Sequence, residues 1–549
     1  SPTAPAAEPP ELTLRLATQE WEFEQIHRLN YRTFVEEIPQ HARNPEGRLV
    51  DRFHAENTYI VALQGPRLVG MMALRAKRPF SIDSKLPDLD QYLPKGRVAV
   101  EVRLLAVEAD ARKTTLFPAL FDYAVKHCLA EGYDIAVISG TTRQLKLYRH
   151  LGFVPFGPLV GTAEASYQPM YLTLESYGKT LQRSAVMRDT FHDMPREHHE
   201  LNFLPGPVTI APEVRKAFSL PPVSHRGKVF LSKMAETRAA LCRLTNAPEV
   251  QILLGSGTLA NEVVAAQLSL MDATGLVLSN GEFGERLAAN ARRARLRFDW
   301  MRIGWGETFD LAQVEHFMSR LPRGGWVWLV HNETSTGVLN PFDEIKSLCA
   351  AQGLHLCADC ISSIGAMPVD LAGVRLATCA SGKGIGSYPG LSMVFHDYHP
   401  TPKPDTLPGY LDLGWWARNN SIPHTHSSNL LNALNVAVRQ ATPERMERIR
   451  RNMERVRAEL AQCGLRMLAP ENAASPVVVT LVPDEPGLAA IIGEELEMRG
   501  YWLSYRSAYL LEKNWIQIAL LGDPSEKSID KLLNIMRLAS ARLRGKGKG

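Results

Sequence analysis

Residues 377–390 read ATCASGKGIGSYPG. An apolar, strand-like run breaks there into a glycine-rich turn that carries one lysine, Lys383. In open α/β folds, ligands collect beyond the carboxyl ends of the strands, so a lysine placed there stands where chemistry is done. Its amine must shed a proton to attack a carbonyl, and partial burial favours that neutral form. Around this turn lie further apolar runs: QILLGSG (251–257), TGLVLSN (274–280), GWVWLVHNE (325–333), LHLCADC (354–360) and LSMVFHD (391–397). Helical patterns separate them, which predicts a mostly parallel sheet covered on both faces. From about residue 396 the pattern changes to loops and helices with the strands SPVVVTLVP and NWIQIALLG, a smaller α+β domain.

Three other features join Lys383. Asp359 ends the run LHLCAD, and a carboxylate buried at a strand end needs a cationic or hydrogen-bonding partner. Gly255-Ser256-Gly257-Thr258 follows one strand and opens a helix; backbone amides and the helix dipole make such a turn an anion cradle. Phe283, in NGEFGER after another strand, is placed to lie over a flat ring. A lysine, an acid, an aromatic face and a phosphate cradle are what pyridoxal phosphate (PLP) requires of a protein.

The N-terminal third has a different rhythm. TYIVAL (58–63) and RLVGMMALRA (67–76) read as a hairpin across Gly65-Pro66, EVRLLAVEA (101–109) as a third strand, and 116–132 as an amphipathic helix ending at a glycine. The expected division is a Pro/Ala leader at 1–11, a first domain at 12–180, a polar linker at 181–200, a large domain at 201–395 and a small one at 396–545. The chain has 549 residues, is 45% hydrophobic and carries a net charge of +4. That balance fits a soluble enzyme of several domains with no call for nucleic acid as a partner. The basic run RLRGKGK (542–548) reads as a solvated tail. No apolar run reaches the roughly 18 residues of a membrane span. Seven scattered cysteines fit a reducing cytoplasm. Cys357 and Cys360 sit in a buried strand with no second pair to complete a zinc site, and His198-His199 lacks the i, i+4 spacing of a zinc helix. No metal is expected.

Residues 200–540 resemble the fold-type I, class V PLP-dependent aminotransferases, among them the alanine–glyoxylate and 2-aminoethylphosphonate–pyruvate transaminases. The resemblance rests on LPGP (204–207), SHR (224–226), GSGT (255–258), NGEFG (280–284), HNETSTGVLNP (331–341), ADCISSIG (358–365) and SGKGIGSYPG (381–390), in that order. It implies that Lys383 is the Schiff-base lysine, Asp359 pairs with the pyridinium nitrogen and Phe283 stacks on the ring. It further implies that Ser256, Gly257, Thr258 and Ser381 hold the phosphate and that Thr334 or Ser335 lies near the ring hydroxyl. It implies a homodimer in which the loop SIPHTHSS (421–428) brings His424 or Thr425 to the partner's phosphate. The family's carboxylate-gripping arginine near the C-terminus is Gln517 here, which cannot form the bidentate charged pair. Arg506 is the candidate replacement, with Gln517 itself as a hydrogen-bonding contact and Arg226 as a further substrate contact. The same scaffold also supports elimination or replacement chemistry, the competing reading.

Residues 12–175 resemble the GNAT acyltransferases, nearest the autoinducer synthases and N-acyl amino acid synthases. The carrying stretches are YRTFVEEIPQH (31–41), RLVDRFHAENTYIVAL (48–63), EVRLLAVEADARKTT (101–115) and LKLYRHLGF (145–153). The resemblance implies Tyr148 as the acid for the leaving thiolate and Glu101, beside Arg103, as a base or acceptor contact. The loop 111–115 lacks the family's glycines, so Arg112 and Lys113 would hold a phosphate by charge, with acyl-coenzyme A or acyl-carrier protein as donor. The whole is expected to be a bifunctional α/β enzyme that transfers an amino group and acylates an amine.

Overall fold

The computed structural model describes residues 12–37, 41–111, 116–142, 145–161, 166–177, 201–462, 465–498 and 501–546. The expected leader, the linker with its histidine pair, and Arg112 and Lys113 lie outside the described residues. The chain falls into two compact units that divide near residue 200.

The first unit is one mixed sheet. Its strands are β1 (Leu12–Leu16), β2 (Asn57–Gln64), β3 (Arg67–Arg75), β4 (Ala99–Val107), β5 (Ile135–Thr141), β6 (Val154–Pro155), β7 (Val160–Gly161) and β8 (Ser166–Thr173). They lie in the order β1-β2-β3-β4-β5-β8-β6, with β7 also on β8. Only the central β4–β5 pair is parallel. β2 and β3 are buried on both faces. The period of two sorts their side chains: Ile60 and Ala62 pack toward the helix Leu116–Ala130, whereas Tyr59, Val61 and Leu63 pack toward the helix Glu20–Tyr31.

The second unit starts at β9 (Leu201–Asn202) and is built on β10 (Glu249–Leu254), β11 (Gly275–Ser279), β12 (Phe298–Arg302) and β13 (Trp326–Val330). A short hairpin, β14 (Asn332–Glu333) and β15 (Val338–Leu339), precedes β16 (His355–Asp359), β17 (Leu376–Ala380) and β18 (Leu391–His396). The main sheet has seven strands in the order β10-β18-β17-β16-β13-β11-β12. The pairs from β17 through β12 are parallel, and β18 runs against both of its neighbours. β11 and β13 are buried throughout because helices cover both faces. Trp326 and Trp328 fill one face, and Val327 and Leu329 fill the other. The smaller C-terminal part carries β19 (Val478–Leu481), β20 (Tyr501–Trp502) and β21 (Ile516–Ala519). β19 pairs with β21, and β20 pairs with β9. The first residues after 200 are therefore anchored to the C-terminal layer.

Candidate active site

The parallel strands of the second unit deliver their carboxyl ends to one cavity of about 700 Å³, a size that takes a cofactor. Lys383 leaves the turn after β17 and points into it, and Asp359 ends β16 beside it. Ser256, Gly257 and Thr258 line the cavity at the N-terminus of the helix Gly257–Ser269. No side chain caps that helix, so its first amides remain available to an anion. Phe283, on the helix Glu282–Arg293, faces Lys383, whose Nζ lies 5.0 Å from the ring centroid.

Electrostatics tie these groups together. Burial pushes the Lys383 amine below its ordinary value, while Asp359 and Glu333 pull it up. Burial pushes the Asp359 carboxyl up, opposed by the Ile361 amide, Asn261 and Lys383. Asn261 Nδ2 donates to Asp359 Oδ2 at 2.7 Å, and the Ile361 amide donates to Oδ1 at 2.9 Å. Asn261 is itself oriented by Thr378 Oγ1, which donates to its Oδ1 at 2.8 Å. Gly206 closes the wall: a Cβ there would stand 3.1 Å from Lys383 Cγ, on a backbone at φ +151°. The buried Asn332 Oδ1 lacks a partner in this cavity. An amine, a buried carboxylate, an aromatic face and open backbone amides fit PLP.

Not every expected residue takes part. Thr334 lines the cavity and hydrogen-bonds Ser362 Oγ at 2.7 Å, but Ser335 does not. Its hydroxyl binds Glu333 at 2.5 Å and accepts from the Glu282 amide, straps that hold two loops. Ser381 is likewise turned away. It donates to the Tyr388 and Leu391 carbonyls at 2.6 and 2.9 Å, closing the lysine turn on itself. Gln517 is fully buried and makes no contact with the cavity; its amide donates to the Thr334 and Ser335 carbonyls and to Thr480 Oγ1. Arg506 pairs with Glu497 at 2.6 Å on an exposed edge. Arg226 and Thr425 are exposed and do not line the cavity from their own chain. The sequence reading missed Asn261, Asn332 and Ser362, which come from a helix face, from the short strand β14 and from the turn after β16.

In the first unit, Glu101 on β4 is buried among hydrogen-bond donors. Ser81 N and the Arg103 guanidinium donate to one carboxylate oxygen; Ser81 Oγ and Ile82 N donate to the other. Each oxygen of the Glu101 carboxylate thus faces two donors of its own domain. The carboxylate holds the segment 80–82 in place. Arg103 also pairs with Asp51 at 2.9 Å. Tyr148 is half-buried, and burial raises its hydroxyl above the ordinary value, opposed by a hydrogen bond with Thr141.

Residues 215–397 match the family model of class-V aminotransferases, and residues 25–174 match that of the N-acyl amino acid synthase FeeM. The chain carries a class-V aminotransferase domain. A 2-aminoethylphosphonate–pyruvate transaminase of Pseudomonas fluorescens is 27% identical over 312 residues, 51% of this chain and 81% of that one. An uncharacterized aminotransferase of Methanocaldococcus jannaschii is 28% identical over 296 residues, 51% of this chain and 77% of that one. The crystal structure of an alanine–glyoxylate aminotransferase from Nostoc superposes with a TM-score of 0.56 at 27% identity, covering 62% of this chain and 94% of that one. The aminotransferase domain is thus joined to an N-acyl amino acid synthase-type domain, and the relatives favour amino transfer over elimination or replacement. Among the described residues no helix is long and apolar enough to cross a membrane.

Proposed function

We propose that the aminotransferase domain moves an amino group from a small acidic amine to a keto acid, and that the first unit acylates an amine. The convergence of Lys383, Asp359, Phe283 and the Ser256–Thr258 amides on one cavity carries this reading. When bound, PLP would supply an aldehyde and an electron sink. Ser256, Gly257 and Thr258 would hold its phosphate, Asp359 would keep its ring nitrogen protonated, Phe283 would cover its face, and Thr334 with Asn332 would flank its hydroxyl. Lys383 Nζ would take up the proton released from the substrate's amine-bearing carbon and hold it for return. Burial lowers the proton affinity of that amine, the direction such a base requires. The names of the relatives support an amine such as 2-aminoethylphosphonate with pyruvate as acceptor.

In the first unit the reading is a GNAT-type transfer. Tyr148, held protonated, gives its proton to the departing thiolate of an acyl-coenzyme A or acyl-carrier thioester. Arg112 and Lys113 supply the positive charge for the donor's phosphate. A cytoplasmic homodimer, with Thr425 or His424 completing the neighbouring site, is the assembly this reading expects. The test pairs two assays on the full chain. Pyruvate should be converted to alanine with 2-aminoethylphosphonate present, and thiol should be released from an acyl thioester when an amine is added. Absence of alanine with every donor tried would sink the first half. Thiol release unchanged in Tyr148→Phe would sink the role of Tyr148.

A further inference from the structure

The cavity has more positive charge than its cofactor chemistry uses. The helix Glu282–Arg293 turns the positions i, i+4 and i+7 to the same side, and Arg286, Asn290 and Arg293 all line the cavity from it. Asp359 is the only carboxylate in that lining, and it is already bound by Asn261 and the Ile361 amide. Arg286 is fixed at one edge only: its Nε donates to Glu282 Oε1 at 2.9 Å. Its guanidinium carbon lies 5.1 Å from the centroid of the Phe283 ring, the ring that Lys383 faces from 5.0 Å. Its two terminal nitrogens make no hydrogen bond among the described residues, and Arg293 has no ion-pair partner among them. The positions expected to grip a substrate acid, Gln517 and Arg506, are committed elsewhere.

We propose that Arg286, backed by Arg293, receives the acidic end of the substrate at the mouth of the cavity. The assignment rests on the aminotransferase reading and deepens it. The substrate is an amine whose carboxylate, phosphonate or phosphate sits on the helix side of the cavity and not on the C-terminal layer. An arginine fork suits all three groups because it presents paired donors to paired oxygens. The same fork would suit the cofactor's own phosphate, and the experiment separates the two.

The full-length holoenzyme is compared with Arg286→Gln, Arg286→Lys and Arg293→Gln. Two donors with the same amine and chain length serve as probes: 2-aminoethylphosphonate and ethanolamine. The readouts are the affinity for PLP and the ratio of kcat/KM for the two donors. The expected result is unchanged PLP affinity in Arg286→Gln and a ratio that falls about 30-fold, the loss of one charge-assisted contact. Arg286→Lys recovers part of the ratio, and Arg293→Gln loses less than Arg286→Gln. A ratio that stays at the wild-type value overturns the proposal. So does a loss of PLP affinity without change in the ratio, which would give Arg286 to the cofactor phosphate. Wild-type protein that binds no PLP overturns the underlying reading as well, a result distinct from both.

Discussion

Lys383 is poised by opposing influences. Its amine is driven toward neutrality by burial and toward charge by Asp359 and Glu333, and its stem is packed against Gly206. The left-handed backbone of Gly206 admits no side chain without strain, and an added methyl would press on Lys383 Cγ. Gly206→Ala is therefore expected to cut the rate of the first half-reaction at least tenfold while the protein still folds. Stopped-flow absorbance with 2-aminoethylphosphonate reads this directly, and a wild-type rate would refute the packing argument. At this scale the sequence was partly legible. Lys383 and Asp359 follow apolar strands and could be read from that position. Ser335, Ser381 and Gln517 could not, because a hydroxyl or amide in a functional motif is equally able to strap a loop. Which it does depends on acceptors such as the Thr334 and Tyr388 carbonyls, which no spacing reveals.

Glu333 shows how one element holds another. It lies on β14, yet its carboxylate accepts from the Gly284 amide at 2.9 Å and the Phe283 amide at 3.3 Å. It thereby caps the helix that carries both Phe283 and Arg286. Burial raises this carboxyl, while Ser335 and the helix amides lower it. Glu333→Gln turns an amide donor toward those backbone donors and should cost about 1–3 kcal/mol. Urea denaturation of the variant tests this, and an unchanged midpoint would show that the cap is dispensable. Glu333 stood within the recognisable string HNETSTG, but its partners are 49 and 50 residues away in sequence. The strands themselves were legible because an apolar run buried on both faces has few alternatives. The phase of the helix Glu282–Arg293 against the cavity was not, so Arg286 passed unnoticed.

For the whole molecule, buried histidines set the response to acid. His331 lies against the Phe342 ring, tilted to it with centroids 4.8 Å apart, and its imidazole is pushed down to about 4 by burial; His426 is pushed down to about 4 as well. Folded-state values below the unfolded 6.5 mean that the unfolded chain takes up the protons first. Stability is thus intact above pH 6.5 and is lost as the pH falls toward 4. His331 alone should remove about 2 kcal/mol between pH 7.5 and pH 5. Denaturant midpoints at the two pH values check this, and a His331→Gln variant should show a smaller drop. Equal drops in the variant and the wild type would exclude His331 as the cause. At the same scale the sequence showed two chemistries in one chain, since each third or half carries its own string of motifs. The anchoring of residues 201–202 on β20 was invisible, because two-residue strands have no period to read.

The proposed function turns on Lys383 as the group that joins this protein to PLP. The most direct measurement is the visible absorption spectrum of the purified full-length protein after incubation with PLP and removal of the excess, beside that of Lys383→Ala. A protein-bound band that survives gel filtration is expected in the wild type and is expected to be missing from Lys383→Ala. A wild-type protein with no such band, or a variant that keeps it, would remove Lys383 from that role.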